Sequence, residues 1–121
     1  MVVMITRLLV LLTLVPMLLI PISAKVSTRP NTLSVAITVE AHPANVHIEV
    51  AVTALENVPP EWANPTVYHQ WLIDDTVEGF IDLWEDMTPG KYYVEVSLFR
   101  DLGKPEPEVY KVPPVTVLVT P

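Results

Sequence analysis

The sequence predicts an all-β fold, an antiparallel sandwich of two sheets with six to seven strands. Three observations lead there. Apolar and polar residues alternate with period two over most of the chain beyond residue 24, turn residues break the alternation at short intervals, and no helical period appears after the first 24 residues. A length of 121 residues suits one domain.

The N-terminal segment stands apart. Met1 to Ala24 carries a single charge, Arg7, in a run that is otherwise mostly Leu, Val, Ile and Met, and it predicts a hydrophobic helix ahead of the sandwich. Two readings fit it. As a cleaved signal peptide, Arg7 is the positive n-region, Leu8 to Ile22 the apolar stretch, and Ile22-Ser23-Ala24 a recognition site with a small residue last. As an uncleaved anchor, Leu8 to Ala24 supplies 17 residues, the short limit for a bilayer core, interrupted by Pro16 and Pro21. Both readings place the remainder outside the cytoplasm, secreted or held at a membrane through residues 1–24.

Beyond the leader, Lys25 to Asn31 is short and polar and reads as a tether to a domain spanning 32–121. Leu33, Val35, Ile37 and Val39 alternate with Ser34, Ala36, Thr38 and Glu40, a half-buried strand. His42-Pro43-Ala44-Asn45 is a turn, and Val46, Ile48, Val50 and Val52 define the next strand, antiparallel to the first. Pro59, Pro60 and Pro65 make 56–65 a loop, because proline supplies no ladder donor. Thr66 to Ile73 is the third strand, with Val67, His69, Trp71 and Ile73 on one face. Asp74-Asp75 forms a tight turn into the fourth, where Val77, Gly79, Ile81 and Leu83 alternate with Glu78, Phe80, Asp82 and Trp84. Thr88-Pro89-Gly90 predicts a type II turn, with glycine at the positive-φ position. Tyr92, Val94, Val96 and Leu98 then line one face of the fifth strand. Val109 to Thr120 is the last strand region, split by Pro113-Pro114, a pair tolerated only at an edge or at a switch between sheets.

Composition excludes several classes of function. There is no cysteine, hence no thiol catalysis, no thiolate metal site and no disulfide, and the domain must hold together through its apolar core. Acidic residues outnumber basic ones 14 to 7, which disfavours nucleic acid and anionic lipid as partners. Asn64-Pro65-Thr66 is not a glycosylation acceptor, because proline occupies the middle position.

The run from Asp82 to Val96, Asp-Leu-Trp-Glu-Asp-Met-Thr-Pro-Gly-Lys-Tyr-Tyr-Val-Glu-Val, resembles a turn and strand of Ig-like sandwiches. Fibronectin type III domains and transthyretin-like domains of the carboxypeptidase regulatory type carry a similar pattern of an apolar residue, Pro-Gly, then tyrosine followed by alternating valines. The alternation that starts at Tyr92 is closer to the transthyretin-like spacing; in fibronectin type III the tyrosine usually falls one place later, at Tyr93. Trp71 is similar to the core tryptophan of Ig-like strands. The resemblance implies an Ig-like architecture and an accessory or adhesive module, and it is silent on the partner.

Chemistry-bearing residues are few. Ser27, Ser34 and Ser97 lack a nucleophile-elbow context. His42 and His47 read as solvated, and His69, beside Trp71, as a hydrogen-bonded core or interface histidine; their spacings match no zinc motif. Asp74, Asp75 and Glu78, within a cluster continuing to Asp82, Glu85 and Asp86, are the calcium candidates, set against a solvated acidic edge. Alternation sends Glu78 and Asp82 out onto a strand face. Trp62, Trp84 and Phe80 are the candidates for stacking on sugar or anchoring a protein, against the alternative that Trp71 and one of Trp84 or Trp62 cover the core. The expectation is an exported, noncatalytic module without cofactor that binds a protein or glycan, or assembles with itself, at the cell surface. A carbohydrate-binding module and a small enzyme inhibitor using the proline loop are the alternatives.

Overall fold

A computed structural model describes residues 20–73 and 77–121. Eight strands account for the regular structure of the described residues: β1 (Ile22–Arg29), β2 (Thr32–Val39), β3 (Asn45–Ala54), β4 (Thr66–Leu72), β5 (Gly79–Trp84), β6 (Gly90–Arg100), β7 (Glu108–Lys111) and β8 (Val115–Val119). They form two antiparallel sheets. One has the order β1-β2-β5; the other runs β4-β3-β6, with β7 and β8 pairing in turn along the far side of β6.

The core is the layer between the sheets. Leu33, Val35, Ile37 and Val39 of β2 meet Ile48, Val50 and Val52 of β3 and Tyr92, Val94, Val96 and Leu98 of β6. All are buried, as the period-two alternation predicts, and burial of each such aliphatic side chain contributes about 1.5–3 kcal/mol. Val46 is the exception in β3. The register shifts between Asn45 and His47, and this irregularity leaves Val46 exposed.

The residues read as a tether are β1. Ile22 to Arg29 pairs with β2 along its whole length, from Ile22 opposite Val39 to Arg29 opposite Thr32. Pro30-Asn31 is the two-residue turn between the strands, with Asn31 in the left-handed region at φ 54°. The polar look of the segment arises because β1 is an edge strand: Ser23, Lys25, Ser27 and Arg29 face water, and only Ile22, Ala24 and Val26 turn to the core. The strand also takes in residues 22–24, assigned above to the leader. The predicted N-terminal helix otherwise concerns residues 1–19, which lie outside the described residues.

Pro113-Pro114 separates β7 from β8, so one long partner of β6 becomes two short ones. β8 pairs with Gly90–Val94 and β7 with Ser97–Arg100. At the other predicted punctuation, Gly90 opens β6 with φ 153°, more extended than the second central position of a type II turn. The buried Tyr92 hydroxyl donates to the Thr88 carbonyl across that corner, the arrangement known in sandwich folds as a tyrosine corner.

Burial, and next the nearby Glu61 carboxylate, raise the Tyr92 hydroxyl above the ordinary tyrosine range. A raised folded value means that the native state holds this proton longer than the unfolded chain does. The stability it confers is therefore complete below the ordinary tyrosine range and is lost as pH climbs through it toward the folded value. Tyr92→Phe should cost about 1 kcal/mol at neutral pH through the lost hydrogen bond. It should also flatten the alkaline decline, as read by urea unfolding of both proteins at neutral and at alkaline pH. Ile22→Ala should cost about 3 kcal/mol in the same assay if β1 is part of the sandwich, and nothing if the segment is a tether.

Candidate functional site

Chemistry gathers on one lateral side of the sandwich, between β4 at the edge of the larger sheet and β5 at the edge of the smaller. The β4 alternation sends Val67, His69 and Trp71 toward the opposite sheet and Tyr68, Gln70 and Leu72 to solvent. In β5, pairing with β2 decides the facing. Phe80 lies opposite Ile37, Asp82 opposite Val35 and Trp84 opposite Leu33, all core positions of β2. Phe80, Asp82 and Trp84 therefore point inward, and Ile81 and Leu83 point out. This reverses the expectation that alternation sends Asp82 out onto a solvated face.

Asp82 is buried, its side chain 5% exposed. Its carboxylate accepts from two N–H groups. Trp84 Nε1 donates to Oδ2 at 2.6 Å, and His69 Nδ1 lies 3.0 Å from Oδ1 and 3.3 Å from Oδ2. An ionised carboxylate only accepts, so the His69 proton belongs on Nδ1. The His69 ring also stacks on Trp84, with centroids 3.8 Å apart and planes 11° apart, and meets the edge of Trp71 at 5.7 Å. Trp71 tilts onto Phe80 at 5.2 Å. Aromatic residues of β4 and β5 thus span the gap between the sheets around one carboxylate.

Trp62 belongs to the neighbouring end of the core. It stands edge-on to Trp84 and to Tyr92, both at 5.9 Å, and is held by a bond from its backbone N–H to the Pro59 carbonyl. Trp84 is buried and engaged with Asp82 and His69, so it presents no free face to a sugar ring. Of the three aromatic candidates, Trp62 and Phe80 are half-buried and separated by Trp84; the structure does not line them up as a platform. Of the calcium candidates, Glu78 is exposed immediately before β5, whereas Asp74 and Asp75 lie outside the described residues. Among the described residues no three His, Asp or Glu side chains converge as metal ligands. Asp82 and His69 have the pairing of a general-base dyad, but the serines are elsewhere: Ser23 is exposed on β1 opposite Thr38, Ser27 and Ser34 bond each other on the outer face of the smaller sheet, and Ser97 pairs with Glu49 on the larger one.

A second polar group occupies the end of the sandwich near the β2–β3 turn. Buried Arg100 donates through Nε to Asn45 Oδ1 at 2.7 Å, and its guanidinium lies 5.5 Å from the centre of the Tyr110 ring. Tyr110 and Lys104 both donate to Glu108, at 2.5 and 2.9 Å; these bonds, that from Tyr110 first, hold the Glu108 carboxyl below its usual range. The group ties β7 to β6 and leaves its members' polar atoms engaged with one another.

The edges of the sheets differ in their protection. Edge strands commonly carry charges or proline that discourage pairing with another chain. β1 carries Lys25 and Arg29, β7 carries Glu108 and Lys111, and β8 follows a proline pair and runs beside β1, where Asn31 N–H donates to the Thr120 carbonyl. β4 follows Pro65, but neither β4 nor β5 contains Lys, Arg or Pro. Asp82 is the only Asp, Glu, Lys or Arg in either strand and it is buried against His69, while Leu72, Ile81, Tyr68 and Leu83 are exposed by 88, 68, 59 and 46%.

Comparison with protein-family models, with curated proteins and with solved structures finds no match to this chain.

Asp82→Ala leaves the Trp84 and His69 donors without an acceptor between the sheets and should cost about 3 kcal/mol. Asp82→Asn keeps one acceptor and should cost about 1 kcal/mol. Urea unfolding followed by tryptophan fluorescence checks both, and equal losses for the two variants would contradict the carboxylate's role as a shared acceptor.

Proposed function

We propose that the chain is an exported, noncatalytic module that binds an extended protein segment by strand addition on its β4–β5 side. The leader composition supports export: an apolar run behind a single Arg7. The observation that carries the binding reading is the pair of edge strands that contain no Lys, Arg or Pro. Each presents a row of backbone donors and acceptors on its outer side and large apolar side chains on its solvent face. Strand addition satisfies both at once, because main-chain bonds extend the sheet while alternate side chains cover Leu72 and Tyr68, or Ile81 and Leu83. The half-buried Trp71 and Phe80 between the edges give an incoming side chain an aromatic surface to rest on.

The sugar-stacking alternative is less well supported, since Trp84 is committed to the core. The Ig-like resemblance agrees with an adhesive or accessory role and adds no site residue.

The test is binding of a fluorescent peptide with alternating threonine and branched aliphatic residues, followed by anisotropy. Ile81→Lys and Leu72→Lys change side chains that face water, so the urea midpoint should stay within about 0.5 kcal/mol of the parent. One of them, or the two together, should weaken peptide binding at least ten-fold, about 1.4 kcal/mol. Undiminished binding by the double variant would refute strand addition at this side.

A further inference from the structure

The neighbours of β5 in the chain restrict what its edge can accept. β5 is six residues long, and its exposed side chains between the ends are Ile81 and Leu83. Glu78 stands immediately before it and Glu85 and Asp86 immediately after, all exposed. Both ends are fixed in place. Val39 N–H donates to the Glu78 carbonyl, and Met87 N–H donates to the Asn31 carbonyl, each at 2.8 Å. Among the described residues the edge is therefore a short strand whose one charged side chain, Asp82, is buried, with the Glu78 carboxylate before it and those of Glu85 and Asp86 after it. At about 3.3 Å per residue these ends lie roughly 20 Å apart, more than two screening lengths of ~8 Å at physiological salt, so each acts on its own stretch of partner. Arg29 shares the recess at the Glu85–Asp86 end and offsets part of the charge there.

This pattern selects against a second copy of the same chain. Two β5 strands paired antiparallel would bring Glu78 of one beside Glu85 and Asp86 of the other; paired parallel, they would bring like against like at both ends. Either arrangement sets carboxylate against carboxylate, in a chain whose net charge is already −7.

We propose that β5 receives an extended segment of a different protein, about six residues of alternating uncharged side chains, bracketed at both ends by Lys or Arg. The proposal rests on the strand-addition reading and names the partner for that same edge. Backbone pairing and contact with Ile81 and Leu83 supply the attachment, and the flanking cations, facing Glu78 at one end and Glu85 with Asp86 at the other, supply register and selectivity.

The test uses the full chain in detergent buffer and two labelled peptides with the same core, Thr-Val-Thr-Ile-Thr-Val, flanked at both ends by two lysines or by two glutamates. The lysine-flanked peptide should bind at least ten-fold more tightly at ~20 mM salt, and the ratio should fall toward one at ~0.5 M. Glu78→Lys combined with Glu85→Lys and Asp86→Lys should reverse the preference. A ratio near one at low salt, or an unchanged preference in the triple variant, overturns the basic-flank assignment even where Ile81→Lys abolishes binding of both peptides and strand addition itself stands. Failure of both peptides to bind removes strand addition together with this partner. Sedimentation that shows the parent as a dimer, with Ile81→Lys monomeric, overturns the preference for a different protein.

Discussion

The β4–β5 side depends on one buried carboxylate. Asp82 sits opposite Val35, at a position where the other sheet residues are apolar, and it is tolerable there because Trp84 and His69 bring N–H donors to it. The donors come from both sheets: Trp84 from β5 itself, His69 from β4 across the gap. The bond from His69 is thus a directional polar link between two edges that, among the described residues, also meet through aromatic rings. Stacking of His69 on Trp84 fixes the same pair of rings a second way. With the link made, Phe80 and Trp71 are brought together, and Ile81 and Leu83 are left facing water.

The two lateral sides of the sandwich solve the same problem differently. On the β1–β8 side, charged residues on β1, prolines ahead of β8 and the bond from Asn31 to Thr120 close the approach. On the β4–β5 side, the inter-sheet gap is filled by aromatic rings, and neither strand exposes an Asp, Glu, Lys or Arg side chain along its length. Inward alternation gives this side a packed interior, and the same alternation leaves apolar residues outside. Among the described residues, the exposed acidic side chains nearest β5, Glu78, Glu85 and Asp86, lie just beyond its ends instead of along it.

Much of this was legible in the sequence. The period-two alternation of Leu33 to Val39, Ile48 to Val52 and Tyr92 to Leu98 identifies the central strands and their buried faces, because a strand with one dry face must place its apolar residues on every second position. The prolines mark the loops and the break between β7 and β8, because they lack the ladder donor. The absence of cysteine assigns the stability to this core alone. The sequence also determined that Lys, Arg and Pro are missing from β4 and β5.

Only the tertiary structure decided which way β5 faces and what β1 is. In β5 both alternating sets contain large apolar residues, Ile81 and Leu83 in one, Phe80 and Trp84 in the other, so periodicity alone cannot choose, and the charge on Asp82 argues for the wrong set. The choice comes from pairing with β2 and from donors that lie two and thirteen residues away in the chain, at Trp84 and His69. In β1 the exposed positions carry Ser, Lys and Arg, and the inward ones are small or sit at the border of the leader, so the signal is diluted until Val35, Ile37 and Val39 are there to receive it. A residue's facing in a sandwich is a property of the layer that covers it, and that layer is assembled from distant parts of the chain.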